Sequence, residues 1–524
     1  MIGKDAIVLF FEQYNIRDIF HLPGILTLPL NQELSKRGNS VFVARHESNL
    51  AFMADGYART TGRCGVMVIT PGPALGNVMA ACMEAYGSDV PLLIIHVALE
   101  GKGSGKGALH EITDPEGMFR HITRGTIVVD KPAALIPGLE AALRHAVSGR
   151  PGPALISVPY TFFEKEVSYP EIAPSPERRG AGFSGLGELL RGKERLVIIG
   201  GWALMEPRLR DLLVKLCREH AIPFLTSTAG KGVLREDGPE AFGNMMRKGI
   251  VREILAQADL VIALGTRLRE VDSKRRGVKI RELVHLDIDD RWINKNYPAR
   301  LWAAAPMGEA VEALGDALQG FRSTWDLPAM KALQHDETER LKKDSPGFAV
   351  MSCIRSCIPD DACTVWDLNM IAYWAEYYFP VLEQRTFFAP RGISPIFYAV
   401  PAAIGAKIGR PERPCLCVVG DGGGLPGLAE LATVQKYRIP VVFLVYNNSG
   451  FGILENYMRG RYAMENTMDL TNPDFVRLAE AFGVRAARAE NLDELERVLR
   501  TEITWEEPFL VEFKYPVFPP PWYI

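Results

Sequence analysis

Short apolar runs, rich in β-branched residues, recur along this chain, and helix-like stretches lie between them. "PLLIIHV" (91–97), "LVIALG" (260–265) and "VVFLVYNN" (441–448) are examples. Runs with so little polar alternation must be covered on both faces, a condition met by parallel sheets wrapped in helices. No other feature narrows the fold as far. The runs fall into three groups, so the expected fold is α/β, with three doubly wound domains at 1–165, 185–322 and 345–524. A chain of 524 residues also exceeds what one hydrophobic core supports. "SYPEIAPSPERRGAGFSG" (168–185) is rich in Pro, Gly and Ser without an apolar period and reads as a linker. A charged, weakly periodic region around 322–346 separates the second group from the third.

Composition excludes several classes of function. Net charge is -3 and the sequence pI about 6.4, so no basic face for nucleic acid is expected. "MIGKDAIVLFFEQYNIRD" lacks a signal-peptide pattern, and its apolar run is too short to span a bilayer. The eight cysteines have no partners at zinc-like spacing, Cys353/Cys357 and Cys415/Cys417 included. Reduced thiols in a cytoplasmic protein are the expectation. "EGKGSGKGA" (100–108) misses the phosphate-loop spacing and reads as a flexible loop, with Lys102 or Lys106 available to an anionic substrate.

One segment carries more chemistry than its neighbours. "VVGDGGG" (418–424) puts Asp421 at a strand end among Gly420, Gly422, Gly423 and Gly424, where backbone can approach a phosphate. After the helical "LAELATVQKY" and a further apolar run come Asn447 and Asn448, then the turn "NNSGFG". In an open α/β sheet, ligands sit beyond the carboxyl ends of the strands. A carboxylate, an amide oxygen and a backbone carbonyl gathered there are hard oxygen donors, suited to Mg²⁺ or Ca²⁺ with phosphate and water completing the shell.

GDG, some twenty-five residues and then NN resembles the thiamine-diphosphate motif of the family holding acetolactate synthases, pyruvate decarboxylases and benzoylformate decarboxylases. The resemblance extends over essentially the whole chain. It implies a pyrimidine-binding, a central Rossmann-like and a diphosphate-binding domain, in that order. It further implies Asp421, Asn448 and the backbone oxygen of Gly450 as metal ligands, with Gly420, Gly422, Gly423 and Ser449 against the cofactor. The second family signature reads "FVARHESNLAFMADGYART", where Glu47 follows the strand-like "SVFVARH". Read by itself, Glu47 is a helix-start acid favoured by the helix dipole. The resemblance makes it the carboxylate that hydrogen-bonds N1′ of the aminopyrimidine and favours the imino tautomer, whose 4′-nitrogen takes the thiazolium C2 proton.

Other family segments are present with departures. "FHLPGILTLPL" matches an F-G-x-P-G turn with His21 in place of glycine, and Pro23 and Gly24 are carried over as cofactor contacts. "TPGPALGN" (70–77) departs at Pro71 and Leu75 while Asn77 fits. Ile396, upstream of "PAAIGA", matches the apolar wedge beneath the bent cofactor; otherwise it is a core isoleucine. His110 stands where the synthases have glutamine and is a candidate proton donor, or a plain loop histidine.

The reaction expected is decarboxylation of a 2-oxo acid to an enamine, followed by protonation or by attack on an aldehyde or a second 2-oxo acid. The synthase glutamine is absent, and benzoylformate decarboxylase's serine and histidine are replaced by Ile25 and Thr70. A decarboxylase or carboligase is therefore expected first, with an acetolactate synthase and a non-catalytic cofactor-binding homologue as alternatives. "IIGGWALMEP" lacks G-x-G-x-x-G, which weakens dinucleotide binding and leaves FAD on the central domain an open question. The family further implies at least a homodimer, in the form of a homotetramer of two dimers.

Overall fold

The computed structural model describes residues 1–99, 107–169, 183–273, 275, 277–465 and 467–523. Lys102 and Lys106 therefore lie outside the described residues, as does most of the linker. The described residues form three sheets of six strands, each flanked by helices.

The first sheet holds β1 (Asp18–His21), β2 (Ser40–Phe42), β3 (Gly65–Ile69), β4 (Leu92–Ala98), β5 (Gly125–Val128) and β6 (Pro153–Pro159). The second holds β7 (Leu196–Gly200), β8 (Phe224–Thr226), β9 (Ala241–Asn244), β10 (Leu260–Leu264), β11 (Leu283–Asp287) and β12 (Leu301–Ala304). The third holds β13 (Cys363–Trp366), β14 (Phe387–Phe388), β15 (Cys415–Gly420), β16 (Val442–Asn447), β17 (Arg485–Ala489) and β18 (Phe509–Lys514). Every strand pairing within them is parallel.

The first and third sheets share one topology. Their orders, β2-β1-β3-β4-β6-β5 and β14-β13-β15-β16-β18-β17, are identical once each domain's strands are counted from its own start. The central order, β12-β11-β10-β7-β8-β9, is the doubly wound Rossmann arrangement. The apolar runs supply the central strands: β10 and β16 are buried along their full length. The edge strands β2, β5 and β17 are only half-buried, so they lack a continuous apolar run and left little trace in the sequence.

Two local expectations are corrected. The strand-like "SVFVARH" does not reach Glu47: β2 ends at Phe42, and His46 caps the helix Glu47–Thr61 by accepting a hydrogen bond from the Ser48 amide. The glycine-rich turn is a helical turn, Asp421–Gly424, followed by a 3-10 stretch, Leu425–Glu430.

The first and third domains meet where the helix Glu47–Thr61 packs on the helix Ala399–Gly409. A Cβ on Gly56 would lie 1.9 Å from the Ala402 carbonyl oxygen, and one on Gly405 would lie 1.8 Å from that of Met53. Backbone on backbone leaves nothing flexible to yield. Gly405→Ala is expected to cost about 3 kcal/mol or more, the upper range for overpacking. Gly315→Ala, in a helix with nothing within 4 Å, is the control and should be neutral or stabilising. Thermal unfolding of both variants checks this, and equal midpoints would show that the crossing is not tight.

Candidate active site

In the third sheet the strand order reverses between β13 and β15, the switch point where such folds place ligands. Asp367 follows β13, and Asp421 follows β15. Asp421 is 1% exposed. Its Oδ1 accepts from the Gly422 amide at 2.9 Å, and its Oδ2 accepts from the Gly450 amide at 3.1 Å and from Asn472 Nδ2 at 2.7 Å. Burial raises its carboxyl, and these hydrogen bonds oppose that rise.

β16 runs beside β15 with Tyr446 opposite Gly420, which brings out the asparagine pair next to Asp421. The structure separates the two asparagines. Asn447 is satisfied within the fold: its Nδ2 donates to Glu512 at 2.7 Å, and its Oδ1 accepts from the Ser449 amide and from Asn472, both at 3.1 Å. Asn448 Nδ2 is buried with no hydrogen-bond partner among the described residues. Its amide is the member of the pair still free to orient toward a ligand. Ser449 adopts φ 56° and is exposed at the turn.

The glycines beside Asp421 are under steric demand. A Cβ on Gly422 would meet Phe451 and Leu470 at 2.7 and 2.8 Å. A Cβ on Gly423 would sit 3.3 Å from Asp367 Oδ2, itself buried without a partner. Burial pushes the Asp367 carboxyl up to about 7.

In the first sheet the matching switch point lies between β1 and β3. Pro23 and Gly24 follow β1, and a Cβ on Gly24 would meet Thr70 Cγ2 at 2.7 Å. His21 is buried and hydrogen-bonds the Val68 carbonyl at 2.8 Å, so the residue replacing the family glycine belongs to the core; burial lowers its pKa. Glu47 opens its helix, and Asn77 Nδ2 donates to its Oε2 at 2.9 Å. The start of that helix is fixed to the third domain through Glu430, whose Oε1 accepts from the Arg45 amide and from Asn49 Nδ2, both at 2.8 Å. His110 is exposed at φ 69°, packed against Gly72. Within the described chain no hydrogen bond or ion pair joins Glu47 or His110 to Asp421, Asn448 or Gly450.

Ile396 is 56% exposed, so it is no core isoleucine. The segment before it is held by Glu84, whose carboxylate accepts from the backbone amides of Arg391, Gly392, Ile393 and Ser394 at 2.9 to 3.2 Å. Just after it, the Tyr398 hydroxyl donates to Asp55 at 2.9 Å. Glu84, Glu430 and Asn472 belong to no motif, and no signal short of the folded chain marks them.

The central switch point, between β7 and β10, is nearly closed. A Cβ on Gly201 would lie 2.1 Å from the Gly265 carbonyl oxygen. Arg150, from the first domain, fills the crevice, donating to Asp89 at 2.6 Å and Asp287 at 2.9 Å. The remaining cavity is about 30 Å³, far below the roughly 300–1,000 Å³ of small-molecule sites. The residues present do not fit a flavin in this crevice.

The unpartnered Asn448 Nδ2 is a donor suited to a phosphate oxygen, and the buried Asp421 carboxylate is a hard oxygen ligand for a divalent cation, so these residues fit a metal-bound diphosphate beside the glycine helical turn. With two outer domains of one topology, the chain is a three-domain α/β protein with candidate cofactor residues at its sheet switch points. The sequence matches place it further. Residues 1–118 match the N-terminal TPP binding domain of thiamine pyrophosphate enzymes, 185–314 the central domain and 367–513 the C-terminal TPP binding domain. The chain belongs to the thiamine pyrophosphate enzyme family and is a thiamine-diphosphate-dependent enzyme of the decarboxylase or acetohydroxyacid-synthase type.

Among its relatives is a protein named probable 2-ketoarginine decarboxylase from Pseudomonas aeruginosa, 34% identical over 97% of this chain and 93% of that protein. A probable acetolactate synthase large subunit from Methanocaldococcus jannaschii is 29% identical over 98% of this chain and 91% of its own. The acetolactate synthase isozyme 2 large subunit of Escherichia coli is 26% identical, over 99% and 98%. No helix among the described residues is long and apolar enough to cross a membrane.

Proposed function

We propose that this enzyme decarboxylates a 2-oxo acid, releasing the aldehyde or joining it to an aldehyde acceptor. The observation that carries the reading is a buried Asp421 carboxylate after β15 and an unpartnered Asn448 Nδ2 after the neighbouring β16, beside the third sheet's switch point. Asp421, Asn448 and the Gly450 carbonyl would hold Mg²⁺, or Ca²⁺ in its place, which would neutralise the charge of the cofactor diphosphate. Gly420, Gly422, Gly423 and Ser449 keep backbone close to it. Thiamine diphosphate, when bound, supplies the carbanion and the electron sink. Glu47, oriented by Asn77, holds the proton at N1′ of the aminopyrimidine. Ile396 supports the bend, and Pro23 and Gly24 face the pyrimidine. His110, at the mouth of the first sheet's switch point, delivers a proton to the product-forming carbon.

The site is completed by a second copy of the chain, Glu47 of one facing Asp421 of the other in a homodimer or a pair of dimers. Ile25, Leu109 and Ile396 are 85%, 79% and 56% exposed in the single chain although they flank the site segments, which supports their burial by a partner copy. The 34% relative's name favours a 2-oxo acid with a cationic tail, 2-ketoarginine, as the first substrate to try. Condensation of two 2-oxo acids is the second reading, favoured by the synthase relatives.

Product analysis by NMR tests this, with 2-ketoarginine, pyruvate and aromatic 2-oxo acids offered with and without aldehyde acceptors. Turnover of none of them with Mg²⁺ and cofactor present would overturn the reading. Acetolactate formed from pyruvate without aldehyde release would select the second. Asn472→Ala, which strips a hydrogen bond from the Asp421 carboxylate, is expected to weaken Mg²⁺-dependent cofactor binding by about tenfold or more. Unchanged affinity by calorimetry would mean that Asn472 only closes its loop.

A further inference from the structure

At the opposite, amino-terminal edge of the first sheet lies a cavity of about 480 Å³, within the roughly 300–1,000 Å³ range of small-molecule sites. β1 runs from this cavity, at Asp18, to the other edge of the sheet at His21, so the cavity is separate from the catalytic residues. Its inner wall is acidic. Asp18 is half-buried and accepts from the Tyr57 hydroxyl at 3.1 Å; burial raises its carboxyl. Glu140 Oε1 is buried and has no hydrogen-bond partner among the described residues. Such an atom bears a desolvation cost that a donor would relieve. The outer wall is basic: Arg17, Arg63 and Arg144 are exposed. Ile16, Leu143 and Val147 add an apolar side.

That layout selects among ligand charges. A plain anion meets Asp18 and Glu140, and a plain cation meets the arginines. No group of three His, Cys, Asp or Glu side chains among the described residues is arranged for a metal ion. A molecule with an ammonium at one end and a carboxylate at the other satisfies both walls. We propose that this cavity binds a small zwitterion of the 2-amino acid type, its ammonium on Glu140 and Asp18 and its carboxylate on Arg63 and Arg144. The side chain of the ligand lies along Ile16, Leu143 and Val147.

The test uses the full-length enzyme saturated with Mg²⁺ and thiamine diphosphate, so that the catalytic site is filled. Each of the twenty standard amino acids is titrated by calorimetry, with n-butylamine and butyrate as single-charge controls. At least one amino acid is expected to bind saturably and more tightly than either control. Glu140→Gln is expected to weaken that binding by about tenfold or more, since a hydrogen bond to a charged group is lost. The exposed Arg144→Ala provides the same readout from the other wall, and both variants keep parental turnover without ligand. Binding of no amino acid, equal binding of the amine alone, or parental affinity in Glu140→Gln and Arg144→Ala would overturn the proposal.

Discussion

Glu47→Gln is expected to reduce turnover by about 10²- to 10⁴-fold, the range contributed by a positioned acid–base group. The swap keeps shape and size. Asn77 Nδ2 still finds an acceptor in the glutamine oxygen, so no buried group is stranded and stability should hardly change. What is lost is the charge that holds a proton at N1′. Cofactor affinity should fall far less than turnover, because the proposed metal and diphosphate ligands lie in the other domain. The measurement that separates these effects is exchange of the cofactor C2–H in D₂O, quenched and read by NMR. Exchange as fast as in the parent would leave Glu47 as a helix-start acid.

Asp421→Ala is expected to abolish Mg²⁺-dependent cofactor binding, a loss of about 3 kcal/mol or more, or at least about 10²-fold in Kd. This variant also strands the Gly422 and Gly450 amides and the Asn472 side chain, each of which donates to the Asp421 carboxylate. Part of its effect would therefore be local unfolding. Asp421→Asn strands less: its oxygen can still accept from Gly450 and Asn472, leaving the Gly422 amide alone without its acceptor, while it removes the charge proposed to bind the metal. Calorimetry with and without Mg²⁺ should show the asparagine variant folded but unable to gain affinity from the ion. Parental affinity in that variant, with Mg²⁺ present, would refute the metal assignment.

The buried parallel strands and the wound α/β architecture were legible because parallel strands covered on both faces must be continuously apolar, as in β10 and β16. The edge strands were not, because half-exposed β2, β5 and β17 carry mixed residues that look like loop. Asp421 and the asparagine pair stood out because their spacing relative to strand ends is local, whereas the role of Glu47 came only from the family resemblance. The family resemblance chose Asn448 from the pair Asn447–Asn448, and only the fold shows what differs physically between them: Asn447 bonds Glu512 and Asn472, while Asn448 Nδ2 has no partner among the described residues. His21 looked like a departure in a cofactor turn and is a core side chain, since burial is not written in a motif.

The sequence by itself determined the fold class, the family and the identity of the chemical groups, because each depends on residue order over a few dozen positions. The tertiary structure alone decided which groups those residues lean on. Asn472 reaches Asp421 across 51 positions, and Glu84 holds the segment before Ile396 across some 300. It alone showed that Arg150 of the first domain reaches Asp287 and fills the central crevice. Contacts of that range follow from how helices and sheets pack in three dimensions, and no local period encodes them.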